Sequence, residues 1–457
     1  MKTININRRH FLKGTTAMLA FSAFGARGLD LINPAQPYRV GLIGAGWYGK
    51  SDLFRLIQVV PIEVKAICDV DKNMREGAAD IVQERIKGAK RPKFYGDYRK
   101  MLAENELDIV LIGSPDHWHA LQAIEAMKSG ANVYLQKPIS VDVIEGEAIV
   151  AAARKYNKAV QIGTQRRSTP HILDVKERIV DAGLLGKVSH VEMRCDYPMR
   201  RRTVDQPEAI PDFLDFDMWT GPAPLKPYAG LPHRGWWRSY MEYGNGIAGD
   251  MCVHMFDTVR WLLDLDWPKK ITSTGGIYVN KESSSNISDT QSAFFEYDEL
   301  NCFWQHRSWG TPTIPEYPWS FSLFGDKGTL VGSTMQCDFT PARGSSSEAI
   351  HVDVLFEREK FPEDNTEPSI EMNAAPATRL HMLNLIDAIE NKKRPVANVE
   401  EGHISTASCI LANMSMKLGR SLQYDPKKRE VVGDAEATKL LTRNYRSPWT
   451  HPDPDKV

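Results

Sequence analysis

The sequence predicts an α/β protein. A doubly wound parallel sheet comes first, then a second α/β domain with an open, mainly antiparallel sheet. Three observations predict this. A glycine-patterned turn stands at Tyr38–Gly49, reading YRVGLIGAGWYG. Strand and helix patterns alternate from there to Gly163, as parallel strands joined by crossover helices require. Between Ile271 and Gly332, strand-like runs follow one another without helices, which suits antiparallel pairing.

In the opening stretch Val40, Leu42 and Ile43 make an apolar run of strand length, and Gly44, Gly46 and Gly49 give G-x-G-x-x-G spacing. Gly44 permits a tight turn. Gly46 lets backbone N–H groups approach a pyrophosphate, and Gly49 lets the next helix lie close to the strand. Ile62–Cys68 reads as the second strand, and Asp69 ends it, 69 − 49 = 20 residues past the last glycine. An acid there suits a ribose 2′-OH and disfavours a 2′-phosphate, so the expected cofactor is NAD. The plainer alternative is an ordinary strand-to-helix turn with a surface acid.

Next in order are a helix at Asp71–Lys87, a short strand at Lys93–Tyr95, a short helix at Tyr98–Leu102 and a buried strand at Asp108–Gly113. A helix at Trp118–Ser129, a strand at Asn132–Leu135, a helix at Val141–Tyr156 and a strand at Val160–Gly163 complete the first part. Ile172–Ala182 is helical, Lys187–Tyr197 is a long strand, and 198–235 reads as an extended loop region. A helix at Asp250–Leu263 precedes strands at Ile271–Val279, Ser292–Tyr297, Asn301–Arg307, Trp319–Phe324 and Gly328–Gly332. Ala375–Glu390 and Ser405–Leu418 are late helices, and the tail from Gln423 is polar and Pro-rich. The expected divisions are a leader and linker at 1–37, a dinucleotide domain at 38–163, a substrate and oligomerisation domain at 164–422, and a tail at 423–457.

The formal net charge of −1 over 457 residues leaves no basic field for nucleic acid. Six cysteines lack C-x-x-C spacing, which argues against a zinc ribbon or a disulfide framework. No run of about 18 apolar residues predicts a membrane span. Asn7–Lys13, with Arg8-Arg9, resembles a twin-arginine export signal, and Thr15–Ala26 is a modestly apolar segment behind it. The expected location is therefore periplasmic or otherwise exported. The alternative is a basic, irregular N-terminus.

Five motifs fall in order: Gly44-x-Gly46-x-x-Gly49, Ser114-Pro115-Asp116-x-x-His119, Gln136-Lys137-Pro138, Gly163-Thr164-Gln165-Arg166-Arg167 and Gly249-Asp250-x-x-x-His254-x-x-Asp257. Together they resemble the glucose–fructose oxidoreductase / inositol dehydrogenase / rhizopine catabolism family (Gfo/Idh/MocA), over about residues 38–420. His117–Ala120 and Arg446-Ser447-Pro448-Trp449 resemble an exported subgroup of it. The resemblance implies a Rossmann domain followed by an α/β domain with an open antiparallel sheet, with the active site between them. It assigns cofactor contacts to Gly44, Gly46, Trp47, Tyr48, Asp69, Ser114, His119, Gln136, Lys137, Gln165, Trp237 and Arg238. It assigns substrate contacts to Arg167, Tyr197, Trp237, Asp250 and His254. The family usually has Glu at the position of Gln136, so a charge beside the lysine is expected to be missing here.

Lys137 follows the strand Asn132–Leu135, at the carboxyl end where α/β sheets bind ligands. Pro138 fixes the backbone beside it, and the bond between them is a candidate cis bond. Beside a cationic nicotinamide the lysine either accepts a proton or stays charged and polarises a carbonyl. Asp250 and His254, four apart, share one helix face, which Asp257 and Trp261 extend. By resemblance they contact a sugar hydroxyl and exchange its proton, a task an imidazole suits. Without it, a first-turn Asp and a satisfied core His are the simpler account. An Asp and a His on one helix also suggest metal ligands, but no third ligand has recognisable spacing, and none is expected. Arg166 and Arg167 are candidates for cofactor or substrate oxygens, or else a solvated pair. Trp236-Trp237-Arg238 offers aromatic faces to nicotinamide or sugar, or else belongs to a core cluster.

The expected function is an exported, NAD-using enzyme that moves a hydride from a carbinol carbon of a sugar or glycoside. Lys137, Asp250 and His254 are its catalytic candidates. A net dehydrogenase and a redox-neutral glycosidase both remain open. A non-catalytic dinucleotide-binding regulator is the alternative of another class. The expected partner is a small carbohydrate, and the open sheet face is a candidate surface for homo-oligomers.

Overall fold

The computed structural model describes residues 36–230, 236–365 and 372–457. The twin-arginine segment lies outside them. Among the described residues, no helix is long and apolar enough to cross a membrane.

The first sheet is six-stranded and all parallel, in the order β3-β2-β1-β4-β5-β6. Its elements are β1 (Tyr38–Ile43), α1 (Trp47–Val59), β2 (Ile62–Cys68), α2 (Lys72–Arg85), β3 (Lys93–Tyr95), α3 (Tyr98–Glu104), β4 (Ile109–Ile112), α4 (His119–Lys128), β5 (Asn132–Leu135), α5 (Val143–Tyr156) and β6 (Val160–Ile162). The strand order reverses between β1 and β4, and that crevice is where such sheets take ligands. Leu42, Ile112, Val133 and Leu135 are fully buried, as strands covered on both faces must be. Asp71 and Asp142 cap α2 and α5, each accepting first-turn backbone N–H groups.

Short helix α6 (Pro170–Val175) runs into a π-turn at Lys176–Asp181 and leads to β7 (Val188–Cys195). Next come α7 (Phe216–Thr220), a π-turn at Ala248–Cys252, and α8 (Val253–Leu263). The strands that follow are β8 (Lys270–Gly276), β9 (Thr290–Glu296), β10 (Asn301–Arg307), β11 (Trp319–Gly325), β12 (Gly328–Ser333), β13 (Gln336–Pro341) and β14 (Ile350–Asp353). They join β7 in an eight-stranded sheet ordered β14-β13-β12-β11-β7-β10-β9-β8, with β7 and β10 its one parallel pair. The sheet thus extends two strands beyond the last one expected. Both alternate apolar and polar residues as half-buried strands do, but each carries only two clearly apolar side chains, too few to show the period.

Helices α9 (Ala375–Glu390) and α10 (Val399–Leu418) return to the first sheet. Met382, Leu385 and Ile386 of α9 pack with Val40, Leu42 and Leu53, while Ala407 and Leu411 of α10 join the core of the large sheet. Helix α10 begins six residues before the expected Ser405, because Asn398 accepts from Glu401 N and caps it there. The tail is ordered. A two-stranded ribbon of β15 (Tyr424–Asp425) and β16 (Glu430–Val431) precedes α11 (Ala435–Lys439), and Trp449 packs edge-on against Trp118, 4.8 Å between ring centres.

Candidate active site

The turn after β1 has the shape an anion needs. Gly44 has φ +83° and lies so close to the β4 end that a Cβ would meet Ser114 N at 2.4 Å. A Cβ on Gly49 would stand 1.8 Å from Gly44 O. Gly46 is different, since nothing of the protein lies within 4 Å of its Cβ position. Its small size is kept for something outside the chain. Helix α1 starts there with no side-chain cap and no acid in its first turn, so the positive end of its dipole faces the groove. Asp69, at the end of β2, lines the same groove and accepts from Ala45 N at 2.7 Å and Asp71 N at 2.9 Å. These residues fit a dinucleotide with its pyrophosphate over Gly46 and its ribose beside Asp69.

The groove continues past Trp47, Tyr48, Gly113, Ser114 and Arg238 into a second cleft between the two sheets. Here the π-turn and α8 bring Asp250 and His254 to Lys137. Lys137 Nζ donates to Asp250 Oδ1 at 2.6 Å and to Asp250 O at 2.9 Å. Its bond to Pro138 is cis. Arg238 stands 3.4 Å from Asp250 Oδ1 and stacks 4.1 Å over the Trp237 ring. Burial raises the Asp250 carboxyl, but Lys137 and Arg238 outweigh it and hold the group below the usual carboxylate range. His254 lines the cleft edge-on to Trp319, 5.4 Å between ring centres. Burial, then the nearby Lys137 and Arg166, keep its imidazole well below its ordinary pKa and therefore neutral.

A matching family model, described as oxidoreductase family, NAD-binding Rossmann fold, covers residues 38–164. A second, oxidoreductase family, C-terminal alpha/beta domain, covers 172–298 and 358–451. The chain belongs to the Gfo/Idh/MocA oxidoreductase family. An alpha-N-acetylgalactosaminidase from Shewanella oneidensis is 31% identical over 221 residues, covering 43% of this chain and 47% of that protein. A glycosyl hydrolase family 109 protein from Shewanella baltica is 34% identical over 175 residues, covering 34% and 38%. The chain thus spans less than half the length of these curated relatives. A levoglucosan dehydrogenase, solved with NADH and levoglucosan, superposes with TM-score 0.62 at 15% identity, over 85% of this chain and 99% of that one. At that identity the likeness is one of fold.

On this Gfo/Idh/MocA frame most of the expected residues converge. Gly44, Gly46, Trp47, Tyr48, Asp69, Ser114 and Trp237 line the groove, and Gln136, Lys137, Tyr197, Asp250 and His254 line the cleft. Arg167 does not. It is 3% exposed and grips Asp257 with two hydrogen bonds of 2.7 and 2.8 Å, Glu401 at 3.1 Å and Val396 O at 3.1 Å. Its neighbour Arg166 faces the cleft instead, 5.3 Å over the Trp319 ring. Asp257 belongs to the Arg167 network and not to the cleft face of Asp250 and His254. Gln165 is buried and lines neither groove nor cleft. His119 reaches the cleft wall, but its ring nitrogens face Pro138 O at 2.7 Å and Ser114 O at 2.9 Å, so it buckles two loops together.

Sequence reasoning assigned no role to Asp116, Trp319 or Asp52. Asp116 lines the cleft at 5% exposure. Its place inside the Ser114–His119 motif was the available signal. Gln136, which stands where a charge beside Lys137 was expected to be missing, is itself paired with a buried carboxyl. Gln136 Nε2 donates to the buried carboxylate of Asp52 at 2.8 Å.

Proposed function

We propose that this protein is an NAD-dependent enzyme that oxidises a carbinol carbon of a glycoside, eliminates the aglycone with loss of the neighbouring acidified C–H proton, adds water to the resulting double bond and returns the hydride within the same cycle, so that the net reaction is hydrolysis of a glycosidic bond without net oxidation. The observation that carries the reading is the convergence of Lys137, Asp250 and His254 in a cleft continuous with the dinucleotide groove. Dinucleotide binding alone needs no such set, which disfavours a non-catalytic regulator. The alpha-N-acetylgalactosaminidase relative supports the redox-neutral form. The levoglucosan dehydrogenase likeness keeps net oxidation as the second reading.

Bound NAD supplies the acceptor and donor of hydride. The chain does the rest. His254, neutral and buried, takes the hydroxyl proton, and the cations beside it favour its prompt release. Lys137, anchored by Asp250, donates N–H groups to the oxygen that becomes a carbonyl. Asp69 accepts from ribose hydroxyls and repels a 2′-phosphate. Trp319 and Trp237 give apolar faces to sugar and nicotinamide.

Export by the twin-arginine route is part of the proposal, on the strength of Arg8-Arg9. A protein exported folded carries its cofactor with it, and retained NAD favours a cycle that restores its oxidation state. Homo-oligomerisation through the open face of the large sheet, where Phe294 stands 43% exposed beside Phe303, is proposed as well.

The test is turnover of aryl glycosides by gel-filtered protein with neither added NAD nor an electron acceptor. Many turnovers per chain are expected. His254→Ala and Lys137→Ala each lower the rate by about 10²–10⁴-fold, and the histidine variant keeps its cofactor. A strict need for stoichiometric added NAD leaves the dehydrogenase reading instead.

A further inference from the structure

Asp52 lies in the second turn of α1 and is 2% exposed. Its Oδ2 accepts from Gln136 Nε2 at 2.8 Å. Gln136 stands just past β5, with Oε1 3.3 Å from Lys137 N, and lines the cleft. Gly163 lies against the amide, and a Cβ there would come within 2.8 Å of its Cδ, Nε2 and Oε1. The amide is therefore pressed against backbone on one side and open to the cleft on another. Packing fixes its plane. It does not fix which end is oxygen, because the two ends have nearly the same shape. A carboxylate only accepts hydrogen bonds, so a charged Asp52 demands the NH₂ group and leaves the carbonyl oxygen for Lys137 N and the cleft. That polarity matters to a cofactor whose oxidised ring is cationic.

We propose that Asp52 is the positioning residue of the cleft floor: from α1 its charge holds the Gln136 amide with the carbonyl oxygen toward Lys137 and the bound cofactor. The assignment serves a net dehydrogenase and a redox-neutral glycosidase equally, so it stands apart from the choice between them. The charged and titratable groups near Asp52 are few. Arg55, on the same helix, is held by Asp364 at 2.7 Å, and the Tyr134 and Tyr48 phenols flank the site from β5 and from α1. Burial pushes the Asp52 carboxyl up to about 7 against the pull of Gln136 and Arg55. Below that pH a protonated Asp52 can donate, and the amide loses its single orientation.

The experiment titrates NAD into full-length protein stripped of nucleotide, at pH 6 and pH 8, with melting temperatures of the unloaded chains alongside. Wild type binds NAD more tightly at pH 8. Asp52→Asn can pair with either end of the amide, so its affinity at pH 8 falls about tenfold and its gain from pH 6 to pH 8 shrinks to what Asp116 and Asp69 contribute. Gln136→Glu sets two carboxylates against each other, weakening NAD by about tenfold or more and lowering the melting temperature. The double variant Asp52→Asn/Gln136→Glu restores a donor facing an acceptor with the polarity reversed, and regains affinity to within about threefold of wild type. A double variant no tighter than Gln136→Glu, or Asp52→Asn binding like wild type at pH 8, overturns the proposal. A wild-type chain that binds no NAD overturns the cofactor site itself along with it.

Discussion

Asp116 lies close under Gly244, where a Cβ would stand 3.1 Å from its Oδ2. Burial pushes its carboxyl up, the charge of Asp250 adds to that push, and Arg238, Lys137 and Arg443 oppose it, with a balance at about 7. An unfolded Asp titrates near 4, so between about pH 4 and 7 the folded state holds a proton that the unfolded state has lost. Stability from this group is thus present at low pH and is lost as pH rises through that window. Asp116→Asn removes the effect. Its stability relative to wild type is expected to rise between pH 5 and 7, by at most about 3 kcal/mol. Denaturant melts at the two pH values check this, and parallel curves would show a carboxyl already ionised at pH 5. The sequence placed Asp116 in a motif, but the charges that set its state come from four separate stretches of chain.

The link between Gly163-Thr164-Gln165-Arg166-Arg167 and α8 is decided by which arginine turns inward. Adjacent residues on a short turn point apart, so one of the pair faces the cleft and the other the interior. The pattern of the sequence does not say which. Arg167 joins the turn after β6 to α8 and α10 through Asp257 and Glu401, and Arg260 shares Glu401 at 3.1 Å. Arg167→Met leaves Asp257 buried without its guanidinium, and a loss of about 3–5 kcal/mol is expected, because removing one partner of a buried pair strands the other charge. Substrate KM should stay near wild type in whatever protein remains folded. A raised KM with unchanged stability would return Arg167 to the substrate.

Across the whole molecule the tail clamps the loop that precedes Asp250. Arg443 donates to Met241 O at 2.5 Å, Gly244 O at 3.1 Å and Asn245 Oδ1 at 2.7 Å, while its own N–H donates to Asp142 Oδ2 at 2.8 Å. Asp142 also receives His451 at 2.8 Å, and Tyr445 donates to Glu145 at 2.6 Å. The loop so held leads directly into the π-turn that carries Asp250. Arg443→Ala should cost about 2–3 kcal/mol of stability, since it strands buried acceptors, and should lower kcat by about tenfold or more through a displaced Asp250. The check is a rate measurement at a temperature well below the variant's melting point. Unchanged kcat there would limit the tail to a stabilising role.

The sequence by itself pointed to the parallel sheet, the glycine turn, the acid at Asp69 and the three residues Lys137, Asp250 and His254 that the fold brings into one cleft. The sheet and the glycine turn rest on local pattern, through the period of apolar residues and the backbone freedom of glycine, whereas Lys137, Asp250 and His254 rest on the family resemblance of their motifs. The tertiary structure decided that Arg166 and not Arg167 meets the cleft, that Asp52 lies against Gln136, and that the tail holds the loop before Asp250. Those outcomes depend on contacts such as Asp52 with Gln136, 84 residues apart, and Arg443 with Asn245, 198 apart. A buried polar group takes whichever partner the folded chain brings within hydrogen-bond reach, and spacing along the sequence carries no record of that meeting.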